Sequence, residues 1–278
     1  MILAAPTVVQ PFAFSVGPLQ FTGFGIAVLL AFGIAQVAAQ RELARRGHLV
    51  ESHATPDILL AALLGTLVGA KLYYVALTGD PSAIFSRGGF VFWGGFMGSV
   101  VFCWIAIRRK KLSFVRYSDV AGIAIAAGYA VGRTGCWAVG DDYGRVWDGW
   151  LAVAFPRGLP PSTVQVMNQL YHANLPATLP PDTAVGVYPT QLLEVLLGLV
   201  MFAVLWRLRR HQHASGWLFG MYCVLAGVER FIVEFFRAKS DMVGPITSAQ
   251  LVALVVTAVG ILLITWRNAP APALASTS

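Results

Sequence analysis

The chain has 278 residues, 57% of them hydrophobic and only 12% charged, with a mean hydropathy of +0.68. Soluble domains carry about a quarter charged residues, so the composition excludes an ordinary soluble enzyme. A net charge of +7 does not imply nucleic acid, because most Lys and Arg residues fall in short loops between long apolar runs.

In chain order, Met1 to Leu19 lacks the basic start and small-residue cleavage site of a signal peptide. Apolar runs follow at 20–40, 57–77, 90–107, 117–134, 190–206, 216–236 and 247–266. A helix rises about 1.5 Å per residue, so about 20 apolar residues cross the hydrocarbon core. The expected fold is therefore all-α: a polytopic membrane protein of about seven transmembrane helices. The run from Tyr117 to Thr134 is rich in Ala and Gly, which favours close packing inside a bundle. The segment 135–189 is too long and polar for a turn and reads as a small extracytoplasmic cap between spans four and five. It belongs to a single membrane domain, 1–267, followed by a disordered cytoplasmic tail, 268–278.

Loops after runs one, three, five and seven hold twelve basic residues, among them Arg41, Arg45, Arg46 and Arg108 to Lys111. The opposite loops hold six: Arg87, Arg133, Arg145, Arg157, Arg237 and Lys239. The positive-inside rule then places the N-terminus outside and the C-terminus in the cytoplasm. Cys103, Cys136 and Cys223 lie far apart, with no disulfide framework or metal-ligand spacing. His211 and His213 read as solvated loop residues. Neither a metal nor a cofactor is expected.

Charges inside apolar runs cost about 2.5–3.5 kcal/mol at mid-helix, which makes them functional candidates. Lys71 interrupts run two, Arg133 ends run four, and Glu229, Arg230 and Glu234 lie in run six. Plainer roles exist: Lys71 can snorkel, Asp119 can pair with the nearby Arg cluster, and Arg230 and Glu234 share one helical face. The segment Gly132-Arg133-Thr134-Gly135-Cys136-Trp137-Ala138-Val139-Gly140-Asp141-Asp142-Tyr143-Gly144-Arg145 is less easily explained. Its glycines free the backbone for close approach, and its arginines match phosphate oxygens. Together they indicate an anionic headgroup site.

This segment resembles the signature of the prolipoprotein diacylglyceryl transferase family. The resemblance continues in Tyr188-Pro189-Thr190-Gln191-Leu192-Leu193-Glu194 and in Arg230-Phe231-Ile232-Val233-Glu234-Phe235-Phe236-Arg237. Asp119, Gly94, Gly95 and Gln250 also sit where the family has equivalents. The likeness implies transfer of the diacylglyceryl group of phosphatidylglycerol to the lipobox cysteine of a prolipoprotein, forming a thioether and releasing glycerol phosphate. It implies a monomeric enzyme of the bacterial cytoplasmic (inner) membrane. By the same likeness Arg133, Asp141, Arg230 and Glu234 are catalytic. Arg133, Gly135, Cys136, Gly140, Gly144, Gly94, Gly95, Gln191 and Arg237 bind substrate. Three positions depart from the family pattern: Trp93 replaces a His, Phe24 a Tyr, and Tyr188 the His of the Pro-Thr-Gln motif. Those departures leave open a diverged paralogue that binds phospholipid or lipoprotein precursors without turnover. A transporter would need paired internal repeats, and none is visible.

Overall fold

A computed structural model describes residues 6–268, except 18, 87–88, 90, 239–241 and 244–245. Arg87 and Lys239 of the charge count, and the tail from residue 269 onward, lie outside the described residues.

Each apolar run forms a helix. These are α1 (Gly23–Arg45), α2 (Leu49–Thr78), α3 (Phe92–Arg109), α4 (Phe114–Val139), α6 (Thr190–Leu208), α7 (Trp217–Val233) and α8 (Ser248–Trp266), with a short α5 (Val164–Tyr171) before α6. Four of them, α1, α2, α6 and α8, are long and apolar enough to cross a bilayer, so this is an integral membrane protein. The others are shorter or more polar: α4 carries Arg116, Asp119 and Arg133, and α7 holds Glu229 and Arg230 in 17 residues.

Helix ends differ from the apolar runs where polar residues find partners. Helix α2 starts at Leu49, before the apolar run, because Ser52 donates to the Gln40 carbonyl at 3.0 Å and Arg116 pairs with Glu51 at 3.1 Å. Helix α4 passes Thr134 and ends at Val139, so Gly135 and Cys136 are helical rather than part of a loop. Gly140 then stops it at φ +70°, where its N–H bonds the Cys136 carbonyl at 2.9 Å.

The chain forms two compact units, Gln36–Ala121 and Met1–Ala35 with Gly122–Ser278. In the first, α2 and α3 meet backbone to backbone through Gly65, Gly69, Gly94 and Gly98. A Cβ on Gly98 would lie 2.9 Å from the Gly69 Cα. Glu42, fully buried, takes Arg45 at 2.6 Å and Arg46 at 2.7 Å, and Arg46 also faces buried Asp119 at 3.8 Å. Lys71 does not rely on snorkelling alone: its ammonium donates to the Ser86 carbonyl at 2.5 Å and hydroxyl at 3.0 Å.

In the second unit, α4 lies inside, with Ile123 and Ala126 fully buried against Met201 and Leu205 of α6 and Leu218 of α7. Its glycines admit neighbours: a Cβ on Gly135 would lie 2.7 Å from the Ala27 Cβ of α1. Helices α7 and α8 close similarly at Gly220 and Gly260, where a Cβ on Gly260 would come within 2.7 Å of the Gly220 carbonyl oxygen.

Residues 140–189 have a core of their own, built from Tyr143, Val153, Phe155, Met167 and Val187. Tyr143 stacks on Phe155, with ring centroids 5.7 Å apart, and its hydroxyl donates towards the Pro160 and Pro161 carbonyls, each at 3.0 Å. A strand near the N-terminus, β1 (Thr7–Val8), pairs in parallel with β4 (Val153–Ala154). Between them in sequence come the hairpin strands β2 (Ala13–Val16) and β3 (Leu19–Thr22).

Packing through glycine gives a direct test. Gly98→Ala pushes α2 and α3 apart and is expected to destabilise by about 1–3 kcal/mol. Gly33→Ala in α1, where nothing lies within 4 Å, is expected to be neutral or to stabilise by up to about 1 kcal/mol. Thermal unfolding in detergent should place Gly98→Ala clearly below the parent and Gly33→Ala level with it or above.

Candidate functional site

The signature segment leaves α4 and enters a narrow backbone ladder. The Gly144 N–H donates to the Tyr188 carbonyl at 2.9 Å, and the Arg145 N–H to the Phe236 carbonyl at 2.8 Å. Three chain segments therefore converge on Gly144. A Cβ there would lie 2.6 Å from the Tyr188 Cβ and 2.9 Å from the Thr190 Cγ2. This convergence carries Arg237, just past α7, to the carboxylates beside Arg133.

The first turn of α6 grips the same segment. Thr190 donates its hydroxyl to the Asp142 carbonyl at 2.8 Å, and Gln191, fully buried, donates its amide to the Asp141 carbonyl at 2.6 Å. These bonds hold Asp142 at φ +55°, a backbone conformation uncommon outside glycine.

The result is a closed ring of alternating charge. Arg133 Nη1 donates to Asp142 Oδ2 at 2.8 Å, and its Nη2 to Glu194 Oε2. Arg237 Nη2 donates to Asp142 Oδ1 at 2.5 Å, and its Nη1 faces Glu194 Oε1 at 3.6 Å. Two guanidinium groups are thus held beside each other by two carboxylates lying between them. Glu234 extends the ring outward, 2.8 Å from Arg230 Nη2 and 4.0 Å from Arg237 Nε.

Among the sequence-predicted residues, Arg133 and Arg237 meet in the ring, while Arg230 joins it only through Glu234. The partner of Arg133 is therefore Arg237 in the first place. The space beside Gly135, Gly140 and Gly144 is filled by protein rather than left open for a ligand; for Gly140 the neighbour is Phe155 Cδ1, at 2.7 Å from a Cβ. Gly94 and Gly95 are packing residues of α3 on α2, in the other unit. Of the departures, Tyr188 stacks on Trp147 with centroids 4.3 Å apart and lies under the Arg145 guanidinium, and Trp93 is half-exposed.

Sequence reasoning missed Asp142 and Glu194 as ring members, although both stood inside the quoted motifs. Glu229 was singled out as a buried charge but given no role, and Tyr129 carried no signal at all.

Burial lifts Asp141 to about 6, and the neighbouring Asp142 carboxylate adds to the rise. Its Oδ1 is buried without a donor. Burial also disfavours the charged form of Asp142, yet Arg237 and Arg133 outweigh it and hold that carboxyl at about 2. Arg133 Nη1 also reaches Cys136 Sγ at 3.3 Å, while its Nε–H is buried with no acceptor. An unmet buried donor costs about 1–3 kcal/mol, so this edge of the guanidinium is suited to an incoming anion. Cys136, Asp141 and Asp142 have ligand atoms within 4.8 Å of one another. A cation there would compete with the two guanidinium groups for Asp142.

Residues 11–266 match the sequence model of the family described as prolipoprotein diacylglyceryl transferase. The chain is 34% identical to the phosphatidylglycerol–prolipoprotein diacylglyceryl transferase of Stenotrophomonas maltophilia (strain R551-3), over 94% of this chain and 93% of that one. It is 31% identical, with the same coverage, to the protein of that name from Xanthomonas axonopodis pv. citri (strain 306).

Removing a ring carboxylate leaves its guanidinium groups unpaired. Glu194→Gln, at a side chain only 2% exposed, is expected to destabilise by about 3–5 kcal/mol. Asp142→Asn, at a side chain 42% exposed, is expected to cost clearly less, since solvent screens the loss. Detergent unfolding midpoints of the two variants check this order.

Proposed function

Because the chain belongs to the prolipoprotein diacylglyceryl transferase family, we propose that it transfers the diacylglyceryl group of phosphatidylglycerol to the lipobox cysteine of prolipoproteins. The observation that carries this reading is Arg133, fixed at both Nη atoms with its buried Nε–H left over for a phosphate oxygen.

In this reading the acceptor thiol loses its proton, and the sulfur attacks the glyceryl carbon bonded to the phosphodiester. The C–O bond breaks, the phosphate keeps the electron pair, and glycerol phosphate leaves. Arg133 meets the growing negative charge with Arg237 beside it, and Glu234 orients Arg237 and links Arg230 to the ring. Preorganised donors of this kind are the largest help such a step receives. Asp141 takes the thiol proton, and Gln191 fixes its backbone. Gly135, Cys136, Gly140 and Gly144 let α4 and the ladder close around Arg133. Gly94 and Gly95 set the spacing of α3.

The enzyme acts as a monomer in the bacterial cytoplasmic membrane. All seven long helices cross it, the N-terminus and the 140–189 body lie outside, and the C-terminus lies in the cytoplasm. The distribution of basic residues between alternate loops supports that orientation.

Trp93 and Tyr188, in place of family histidines, favour a second reading: a paralogue that binds the lipid without turning it over. One experiment separates the two. Membranes containing this chain are given phosphatidylglycerol and a lipobox peptide, and the diacylglyceryl adduct is read by mass. Transfer is expected; lipid binding without adduct would establish the paralogue. Arg133→Ala is expected to slow transfer by about 10²–10³-fold, and undiminished transfer would reject its role.

Transfer should also follow the ionisation of Asp141. The carboxylate form is the acceptor, so the rate should rise with pH through about 6 and fall below it. Asp141→Asn should lose most of the rate and this limb together, as a pH–rate profile would reveal. The stability sign is opposite: a raised carboxyl pKa means that folding stability from this group declines as pH rises from the ordinary carboxylate range towards about 6.

A further inference from the structure

One contact beside the charged ring calls for a proton beyond the one that Tyr129 carries. Tyr129 sits four residues before Arg133 on α4, and its hydroxyl touches two carboxylates. It is 2.9 Å from Glu229 Oε1 on α7 and 3.3 Å from Glu194 Oε1 on α6. A phenol has a single proton to donate. If both carboxylates were ionised, one of these two contacts would set oxygen lone pairs against each other in a buried place.

The two acids differ in what else they face. Glu194 meets Arg133 and Arg237, so its charge is compensated. Glu229 is 8% exposed and has no cation within ion-pair distance among the described residues; the adjacent Arg230 is turned to Glu234. Its surroundings are Tyr129 and, beyond it, Arg133 on α4, Glu194 on α6, and Tyr222 on its own helix. The second proton therefore belongs on Glu229. Glu229 donates to the Tyr129 oxygen, and Tyr129 donates to Glu194.

We infer that Tyr129 and Glu229 form a neutral, proton-bearing bridge that keeps Glu194 ionised and turned to Arg133, which makes both of them positioning residues of the anion site. The inference rests on Arg133 being the group that receives the lipid phosphate. It assigns work to two side chains outside the three motifs: Tyr129 lies ahead of the first, and Glu229 immediately before the third. Without the bridge, Glu194 would face a second buried carboxylate and its hold on Arg133 would slacken.

The test uses the full-length protein in detergent with a short-chain phosphatidylglycerol, and reads binding rather than turnover. Tyr129→Phe and Glu229→Ala each remove the donor chain and are expected to weaken lipid binding about tenfold. Glu229→Gln keeps a neutral donor and is expected to restore affinity to within about threefold of the parent. A Gln variant as weak as the Ala variant would overturn the inference. So would parental affinity in both Tyr129→Phe and Glu229→Ala while Arg133→Ala loses binding. If Arg133→Ala also binds normally, the anion site itself is rejected, and the bridge falls with it. Infrared spectra supply a readout independent of the lipid. At pH 6 in an Asp141→Asn background, which removes the other carboxyl titrating there, a protonated-carboxyl band should be present and should vanish in Glu229→Gln. Persistence of that band in Glu229→Gln, or its loss only in Glu194→Gln, would place the proton elsewhere and overturn the inference.

Discussion

Everything at the site depends on holding two guanidinium groups side by side in a poorly solvated place. Arg133 and Arg237 repel each other, and neither is stable there alone. Asp142 and Glu194 solve this by standing between them, each giving one oxygen to each arginine. The ring is neutral in sum but directional: it fixes the orientation of Arg133 and leaves its Nε–H unmet. In the proposed reaction, a charge-assisted site of this kind would need little rearrangement to take an anion.

The ring requires four backbone positions to meet, and the fold supplies them by small residues and short ladders. Gly135 lets α4 lie against α1, and Gly144 lets the segments around Tyr188 and Phe236 touch the signature strand. The α6 turn then holds the Asp141 and Asp142 carbonyls through Gln191 and Thr190. Glycine here serves contact between protein segments. That differs from the reading of a glycine-rich motif as a bare cradle for ligand, and the difference is steric: the volume a side chain would need is already occupied.

Two neighbouring aspartates illustrate how strongly local partners set behaviour. Asp142 faces two cations and is held strongly acidic, whereas Asp141 is buried beside that charge with one oxygen unmet and is lifted to about 6. Adjacent carboxyls are thereby separated into a structural anion and a group able to exchange a proton near neutrality.

The sequence alone determined the helices, because runs of apolar residues leave the backbone no partner in a bilayer except itself. It also marked Arg133, Arg230 and Glu234 as candidates, since charges are costly among apolar neighbours, whereas Asp141 was named by the family likeness. It did not determine which charge meets which. Arg230 and Glu234 pair along one helix and could be read from spacing, but the Arg133–Asp142–Arg237–Glu194 ring joins residues from separate elements. Tyr129 was invisible for the same reason: a phenol in an Ala-rich helix has no distinguishing pattern until Glu194 and Glu229 arrive beside it from α6 and α7. Periodicity and apolarity act along the chain, whereas ion pairing and proton sharing act through space, so only the tertiary structure decided the partners.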